Sequence, residues 1–239
     1  SGEAWKSFTS QENTLTKSES FVTADLPHVG LQVTISIDGS EVVFKVDPSL
    51  ADDEVFPRDV LYPRHFILPR TSDAYAVFPF GQGSILPADR EWNFHHREGY
   101  AEGTMFWIGG YTGKTGYIGI AETPHDLYQA VDDRPEQAAS CFFHWIGSLG
   151  KLSYPRIARY HFAQGLDFIK QAAIYREWTK RIGWYKSMEE KIGENPNAAK
   201  LIGAPIVTVP ICSRRVRTFE YQFQTFDTAA SLVESFYKH

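Results

Sequence analysis

The chain begins polar and then alternates. From Ser1 to Ser20, serine, threonine, lysine and glutamate dominate, a pattern that predicts an irregular arm or an edge strand. Apolar residues then take the odd positions of Leu31-Gln32-Val33-Thr34-Ile35-Ser36-Ile37. Asp38-Gly39 supplies a turn, and Val42-Val43-Phe44-Lys45-Val46 returns. Period-two alternation around Asp-Gly specifies a β-hairpin. Further strands are predicted over Val60 to Leu68, Ala74 to Phe80, Gly103 to Gly110, Gly116 to Ala121, Cys141 to Ser148 and Leu152 to Phe162, with turns bearing Pro and Gly between them. Hairpins in series mean an antiparallel sheet, and this many runs point to a large sandwich rather than a small barrel. His125 to Val131 reads as a single helical turn.

From Leu166 to Ile182 the period becomes helical, with Ile174, Trp178 and Ile182 four apart and Gly183 as a stop. Ser187-Met188-Glu189-Glu190 has the form of a capping box, and Gly193 is expected to end that short helix. Asn195 then caps another helix that opens on Pro196 and closes at Gly203. Next comes Ala204-Pro205-Ile206-Val207-Thr208-Val209-Pro210-Ile211-Cys212, apolar without alternation. Such a run suits a parallel strand covered on both faces, and one such strand cannot form a sheet. A last helix is predicted from Phe226 to Tyr237, with Leu232 and Phe236 four apart. The order is thus a β domain, a helical connector and a β/α start, and the expectation is that this start needs neighbours from outside the chain.

At 239 residues and 43% hydrophobic content the chain can bury a full core. Its 15% aromatic content favours a thick β core or a surface that stacks on sugars. A net charge of −5 gives no broad basic field, which argues against a nucleic-acid partner, and Arg214-Arg215-Val216-Arg217 reads as a solvated loop. No stretch approaches a membrane span. Cys141 and Cys212 lie in apolar runs without metal-type spacing, so buried thiols are expected; compartment stays undecided.

Several motifs fail on context. Gly109-Gly110-Tyr111-Thr112-Gly113-Lys114-Thr115 imitates a phosphate-binding loop, but the first glycine required falls at Ile108. Gly116-Tyr117-Ile118-Gly119-Ile120 then alternates like a strand instead of opening a helix, so a hairpin turn is expected. His95-His96 with Glu98 would point to opposite faces of an extended segment, and no metal or cofactor is expected. Gly81-Gln82-Gly83-Ser84-Ile85 is neither a nucleophile elbow nor a dinucleotide fingerprint. The acidic pairs Asp52-Asp53-Glu54, Asp89 with Glu91, Asp132-Asp133 and Glu189-Glu190 read as turns, caps or surface. Adjacency in sequence does not set two carboxylates across a glycosidic bond, so no catalytic residue is assigned.

The segment Phe78 to Trp92 holds more promise. Gly81 and Gly83 flank Gln82 between prolines and permit a sharp turn with close approach, while Asp89, Arg90 and Trp92 offer polar groups and a ring suited to a sugar. Gly81, Gln82, Gly83 and Trp92 are therefore the candidate substrate-binding residues.

Three stretches carry a resemblance: Pro79-Phe80-Gly81-Gln82-Gly83 with Pro87; Gly116 to Asp126; and Tyr175-Arg176-Glu177 followed by Gly183, Lys191, Asn195-Pro196 and Leu201-Ile202-Gly203-Ala204-Pro205. Over roughly Leu31 to His239 the chain resembles the N-terminal region of bacterial glycoside hydrolases related to α-N-acetylgalactosaminidases and endo-α-N-acetylgalactosaminidases. The resemblance implies a galactose-mutarotase-like β-supersandwich leading into a (β/α)8 catalytic barrel. Residues 1–20 would be the arm, 21–165 the supersandwich, 166–203 the helical linker and 204–239 the first β/α unit of an incomplete barrel. It also implies that the catalytic carboxylates lie on later barrel strands, since a whole barrel takes about 250 residues. The expected partners are a carbohydrate and the remainder of the barrel, on the same or another polypeptide, and the chain alone would be inactive. A stand-alone carbohydrate-binding module is the alternative reading, and a structural or assembly domain is a third.

Overall fold

The structure, a computed structural model, describes residues 14–64, 66–79, 83–90, 99–101, 105–132, 139–148, 150–204, 212–214, 221–223 and 225–237. These fall into two compact units divided between Trp184 and Tyr185. The first is mainly β and antiparallel throughout. One sheet is built from β1 (Thr14–Lys17), β2 (Phe21–Leu26), β3 (Leu31–Asp38), β4 (Glu41–Asp47), β7 (Ala74–Phe78), β8 (Ser84–Pro87), β10 (Trp107–Thr112), β11 (Thr115–Ala121) and β14 (Arg156–Gln164), in the order β1-β2-β3-β4-β14-β11-β10-β7-β8. The second sheet runs β5 (Asp59–Leu61), β13 (Ala139–Ile146), β12 (Leu127–Asp132), β9 (Gly99–Ala101), with β6 (Ile67–Leu68) also on β13.

The alternation anticipated at Leu31 becomes the β3–β4 hairpin, paired from Gln32↔Asp47 to Asp38↔Glu41. The polar arm contributes its edge strand, β1. The stretch Val60 to Leu68, anticipated as one strand, is instead two short ones, β5 and β6, on either side of Pro63. The anticipated helical turn at His125 to Val131 is in fact strand β12, held by β13 on one side and β9 on the other. Sheet pairing on both sides overrides a weak local helical preference.

On β14 the even positions Arg156, Ala158 and Tyr160 are buried, and Ala158 and Tyr160 join Cys141, Phe143 and Trp145 of β13 in the core of the sandwich. Aromatic edges complete this layer: Phe44 lies 5.4 Å from Tyr160 at 80°, an edge-to-face pair. The large sheet is wider than the sheet facing it. Leu15, Val22, Ile35 and Ile37 on β1, β2 and β3 accordingly stay exposed.

The opposite face of the large sheet is covered by α1 (Phe168–Arg181), which buries Tyr175 and Trp178 against Val77, Trp107, Ile118 and Ile120. Each of these side chains contributes about 1.5–3 kcal/mol by leaving water. Asp167 caps the helix by accepting from Lys170 N at 3.0 Å, and Gly183 ends it at φ 77°. The buried stripe is Gln171, Tyr175 and Trp178, whereas Ile182 of the anticipated stripe is exposed. With α1 on one side and the small sheet on the other, β11 is buried at every position after Thr115.

In the second unit, α2 (Met188–Glu194) carries the expected capping box: Ser187 N donates to Glu190 Oε2 at 2.6 Å and Glu190 N to Ser187 Oγ at 3.2 Å. Gly193 lies inside α2, and Asn195 is the residue that ends it. Asn195 also caps a 3-10 turn, Pro196–Leu201, where a helix was expected. β15 (Cys212–Arg214) and β16 (Tyr221–Phe223) pair antiparallel, and α3 spans Phe226–Tyr237. The apolar run from Pro205 to Ile211 lies outside the described residues. A (β/α)8 barrel is not evident among the described residues. No helix among them is long and apolar enough to cross a membrane.

Candidate functional site

Of the four anticipated site residues, Gly81, Gln82 and Trp92 lie outside the described residues. Gly83 is described: it sits at φ 95° immediately before β8, with open space where a side chain would project. The stretch Phe78 to Trp92, read from sequence as one loop, contains a strand. β8 pairs with β7 from Phe78↔Ser84 to Tyr75↔Pro87, so Gly83 and Asp89 stand at opposite ends of four residues of strand. The rise from Gly83 to Pro87 along β8 alone accounts for about 13 Å of that separation.

The end at Asp89 is tied down by backbone capture. Ala88 is fully buried and donates its N–H to Ala74 O at 2.8 Å, while Arg70 Nη1 donates to Ala88 O at 3.3 Å and Arg90 O at 3.1 Å. Arg90 Nε pairs with Asp89 at 3.0 Å in the open, a contact of little energetic weight.

The end at Gly83 is reached through register. β7 finishes where β10 starts and β11 finishes, so Gly83 shares its end of the sheet with Phe106, Glu122 and Thr123. Here the sandwich is knotted together by side chains. Trp145 Nε1 donates to Thr123 O at 3.1 Å, and Ile157 N donates to Thr123 Oγ1 at 2.8 Å. Next to them Asp126, held at φ 58°, gathers three donors: Ser148 Oγ, Tyr154 Oη at 3.2 Å and Arg156 Nη2 at 3.4 Å. Arg156 is 1% exposed, stacks its guanidinium on the Tyr154 ring at 3.2 Å, and donates to Tyr154 O at 2.7 Å. Burial pulls the Arg156 pKa down, with Tyr154 and Asp126 opposing it. Sequence reading passed over this cluster because its members come from two connections far apart in the chain, β11–β12 and β13–β14, and from the first residue of β14. Asp126 entered only as the last residue of one resembling stretch.

Across the large sheet a second charge cluster centres on Arg159, which meets Glu122 at 2.6 Å, Asp38 at 2.7 Å and Glu41 at 3.0 Å. Burial works to lower its pKa, but the three carboxylates outweigh burial and raise it. Glu41 also lines an open cleft of about 450 Å³ between the sheet and α1, with Ile174, Arg176, Glu177 and Trp178. The Arg159 cluster ties β14 to the ends of β3, β4 and β11, and the Asp126 cluster ties the β11–β12 turn to the β13–β14 connection. Neither sets a nucleophile against a base.

Cys141 is buried, and burial pushes its thiol up to about 12, which leaves it inert as a nucleophile. Among the described residues no three His, Cys, Asp or Glu side chains come together to hold a metal ion.

No protein-family model and no curated protein matches the chain. Among solved structures it is similar to the α-N-acetylgalactosaminidase of Bifidobacterium bifidum. The likeness has a TM-score of 0.66 at 20% identity to the complex with GalNAc, and 0.63 at 19% to the ligand-free enzyme. Each match covers 95% of this chain and 41% of the other, so the chain spans about two-fifths of that enzyme's length. At this identity the likeness establishes the fold, and it fits the N-terminal portion anticipated from the three resembling stretches.

Proposed function

We propose that this chain is the non-catalytic β-supersandwich portion of a glycoside hydrolase acting on α-linked sugars, N-acetylgalactosaminides among them. In this reading it supports and borders an active site that a (β/α)8 barrel completes. The observation that carries it is the match of nearly the whole chain to part of an α-N-acetylgalactosaminidase that binds GalNAc. The second unit supports it independently. α2 and the 3-10 turn bury no side chain, and Phe226, Leu232 and Val233 of α3 are exposed, Phe226 at 79%. An amphipathic helix in that condition gains stability by covering its apolar face, as the outer helices of a barrel do. Residues 204–239 would be the first β/α unit and 166–203 its connector. The turn of Gly81, Gln82 and Gly83 would border the sugar, and Trp92 would offer it a ring.

The test is to read the coding sequence beyond His239 and to assay the product. Alternating strands and helices with Asp or Glu at strand ends are expected, with α-N-acetylgalactosaminide hydrolysis by the complete polypeptide and none by residues 1–239 alone. Hydrolysis by residues 1–239 alone would refute the proposal, as would the lack of a barrel in that sequence or in a co-purifying subunit.

A further inference from the structure

A ridge stands at the end of the sandwich that carries Gly83, and the proposed hydrolase role does not use it. The segment from Ala51 to Asp59 crosses from β4 to β5 in a fixed shape. Asp52 Oδ1 accepts from Glu54 N at 2.8 Å and Val55 N at 2.6 Å, and Asp52 N donates back to Val55 O at 2.9 Å. Its far side is stitched to the turn after β13, where Gly147 N donates to Arg58 O and Leu152 N to Pro57 O at 2.9 Å. Gly30 closes the near side, since a Cβ there would lie 2.8 Å from Val55 O.

Phe56, half-buried on this ridge, lines two hollows. One, of about 530 Å³, has Asp53, Arg58, Gly150 and Lys151 in its walls; the other, of about 600 Å³, has His28, Glu54 and Asp59. Lys151 Nζ sits 5.6 Å from the centre of the Phe56 ring and 3.6 Å from Asp53. Gly150, at φ 95°, leaves open space beside them.

We infer that this ridge is an ancillary binding groove for a neutral oligosaccharide of at least two sugar units, seated astride Phe56. Two hollows that share one aromatic ring fit a ligand with a repeating ring, one unit on each side, and a phenyl face packs against the apolar face of a pyranose. Hydroxyl groups both donate and accept, so they suit walls in which carboxylates and cations are mixed. Asp53, Glu54 and Asp59 oppose a polyanionic saccharide, and Arg58 and Lys151 oppose a polycationic one. The hydrogen bonds that fix the ridge before any ligand arrives lower the entropic cost of binding.

The inference is independent of the hydrolase reading, because the whole groove lies within the first unit. The test is calorimetric and NMR titration of the intact chain with galactose, lactose, a neutral galactotetraose and a galacturonate tetramer. Affinity is expected to rise from galactose to lactose to the tetraose and to be lowest for the galacturonate. Phe56→Ala should weaken tetraose binding about tenfold. Phe56→Tyr should retain it, and Asp53→Ala, at a fully exposed side chain, should weaken it without touching the fold. If the native chain binds no neutral sugar, if Asp53→Ala and a folded Phe56→Ala both bind undiminished, or if the galacturonate binds best, the groove is not what we infer. Those results would leave the sequence beyond His239 as the separate test of the hydrolase.

Discussion

Gln171 fills the place where a side chain on Gly109 would stand. A Cβ on Gly109 would collide with Gln171 Oε1, and the same amide donates through Nε2 to Gly110 O at 3.1 Å and Leu166 O at 3.0 Å. Helix α1 is thus fastened to β10 by a wholly buried polar side chain that requires a bare backbone beneath it.

Gly109→Ala should therefore destabilise the first unit by about 1–3 kcal/mol through overpacking. Gln171→Ala should cost a similar amount by stranding two buried carbonyls. The double variant should cost less than the sum of the two, because the collision disappears with the amide. Urea denaturation of the four proteins in the cycle measures this coupling, and strict additivity would mean that helix and strand do not meet here.

The Asp126 cluster makes a second quantitative claim. Arg156 is buried beneath Tyr154, and Asp126 is the carboxylate that faces it. Removing one partner of a fully buried pair costs about 3–5 kcal/mol, but Asp126 is 28% exposed and Arg156 keeps its bond to Tyr154 O. Asp126→Asn should accordingly cost about 2 kcal/mol by urea denaturation. Asp126→Ala should cost about 1 kcal/mol more, because alanine tolerates the positive φ of this position less well than asparagine does.

The strands from Leu31 to Val46 and the cap at Ser187 were legible in the sequence because each depends on residues close together in the chain. What the sequence hid was long-range. β12 looked like a helical turn because its pairing partners lie on β9 and β13, and the polar member of the α1 stripe, Gln171, was invisible to a search for apolar spacing. β11 carries the sharpest lesson. Gly116 to Ala121, read from sequence as alternating, carries no charged residue and is buried on both faces, yet both of its neighbours are antiparallel. Continuous apolarity reports two covered faces and says nothing of strand direction, and this bears on the run that ends at Cys212, whose described end pairs antiparallel with β16. Of the candidate site, Gly83 could be located, but the strand that parts it from Asp89 could not. Ser84-Ile85-Leu86-Pro87 carries a proline and too few residues to show a period.

The ridge beneath Phe56 has a pH signature. Hydrogen bonds from Val55 N and Glu54 N hold the Asp52 carboxyl below its usual range. A depressed folded-state pKa means that the carboxylate stabilises the ridge fully above the unfolded value, near 3.9, and that this is lost as pH falls through the folded value. Backbone amide exchange at Glu54 and Val55 should therefore stay slow from neutral pH to about pH 4, after correction for intrinsic rates, and quicken below it. Asp52→Asn should remove that acid step and leave exchange on β11 unchanged. An acid step that persists in the variant would assign the effect to another group.

The separation of Gly83 from Asp89 by β8 turns the proposed substrate border into a prediction about length. Gln82 adjoins Gly83 in sequence and Trp92 lies two residues after Arg90, so the proposed border predicts that only a ligand longer than one sugar reports on both. In the proposed complete hydrolase, Gln82→Ala should lower kcat/KM about tenfold on both a nitrophenyl α-N-acetylgalactosaminide and an α-linked oligosaccharide, through one lost hydrogen bond to substrate. Trp92→Ala should lower it comparably on the oligosaccharide alone, through lost ring stacking. Asp89→Ala and Arg90→Ala, at an exposed pair whose side chains bind each other and whose Arg90 carbonyl accepts from the Arg70 side chain, should leave both rates unchanged. Equal losses for Trp92→Ala on the two substrates would place both residues around one sugar ring. No loss for Gln82→Ala on either substrate would remove the glycine turn from the active-site border.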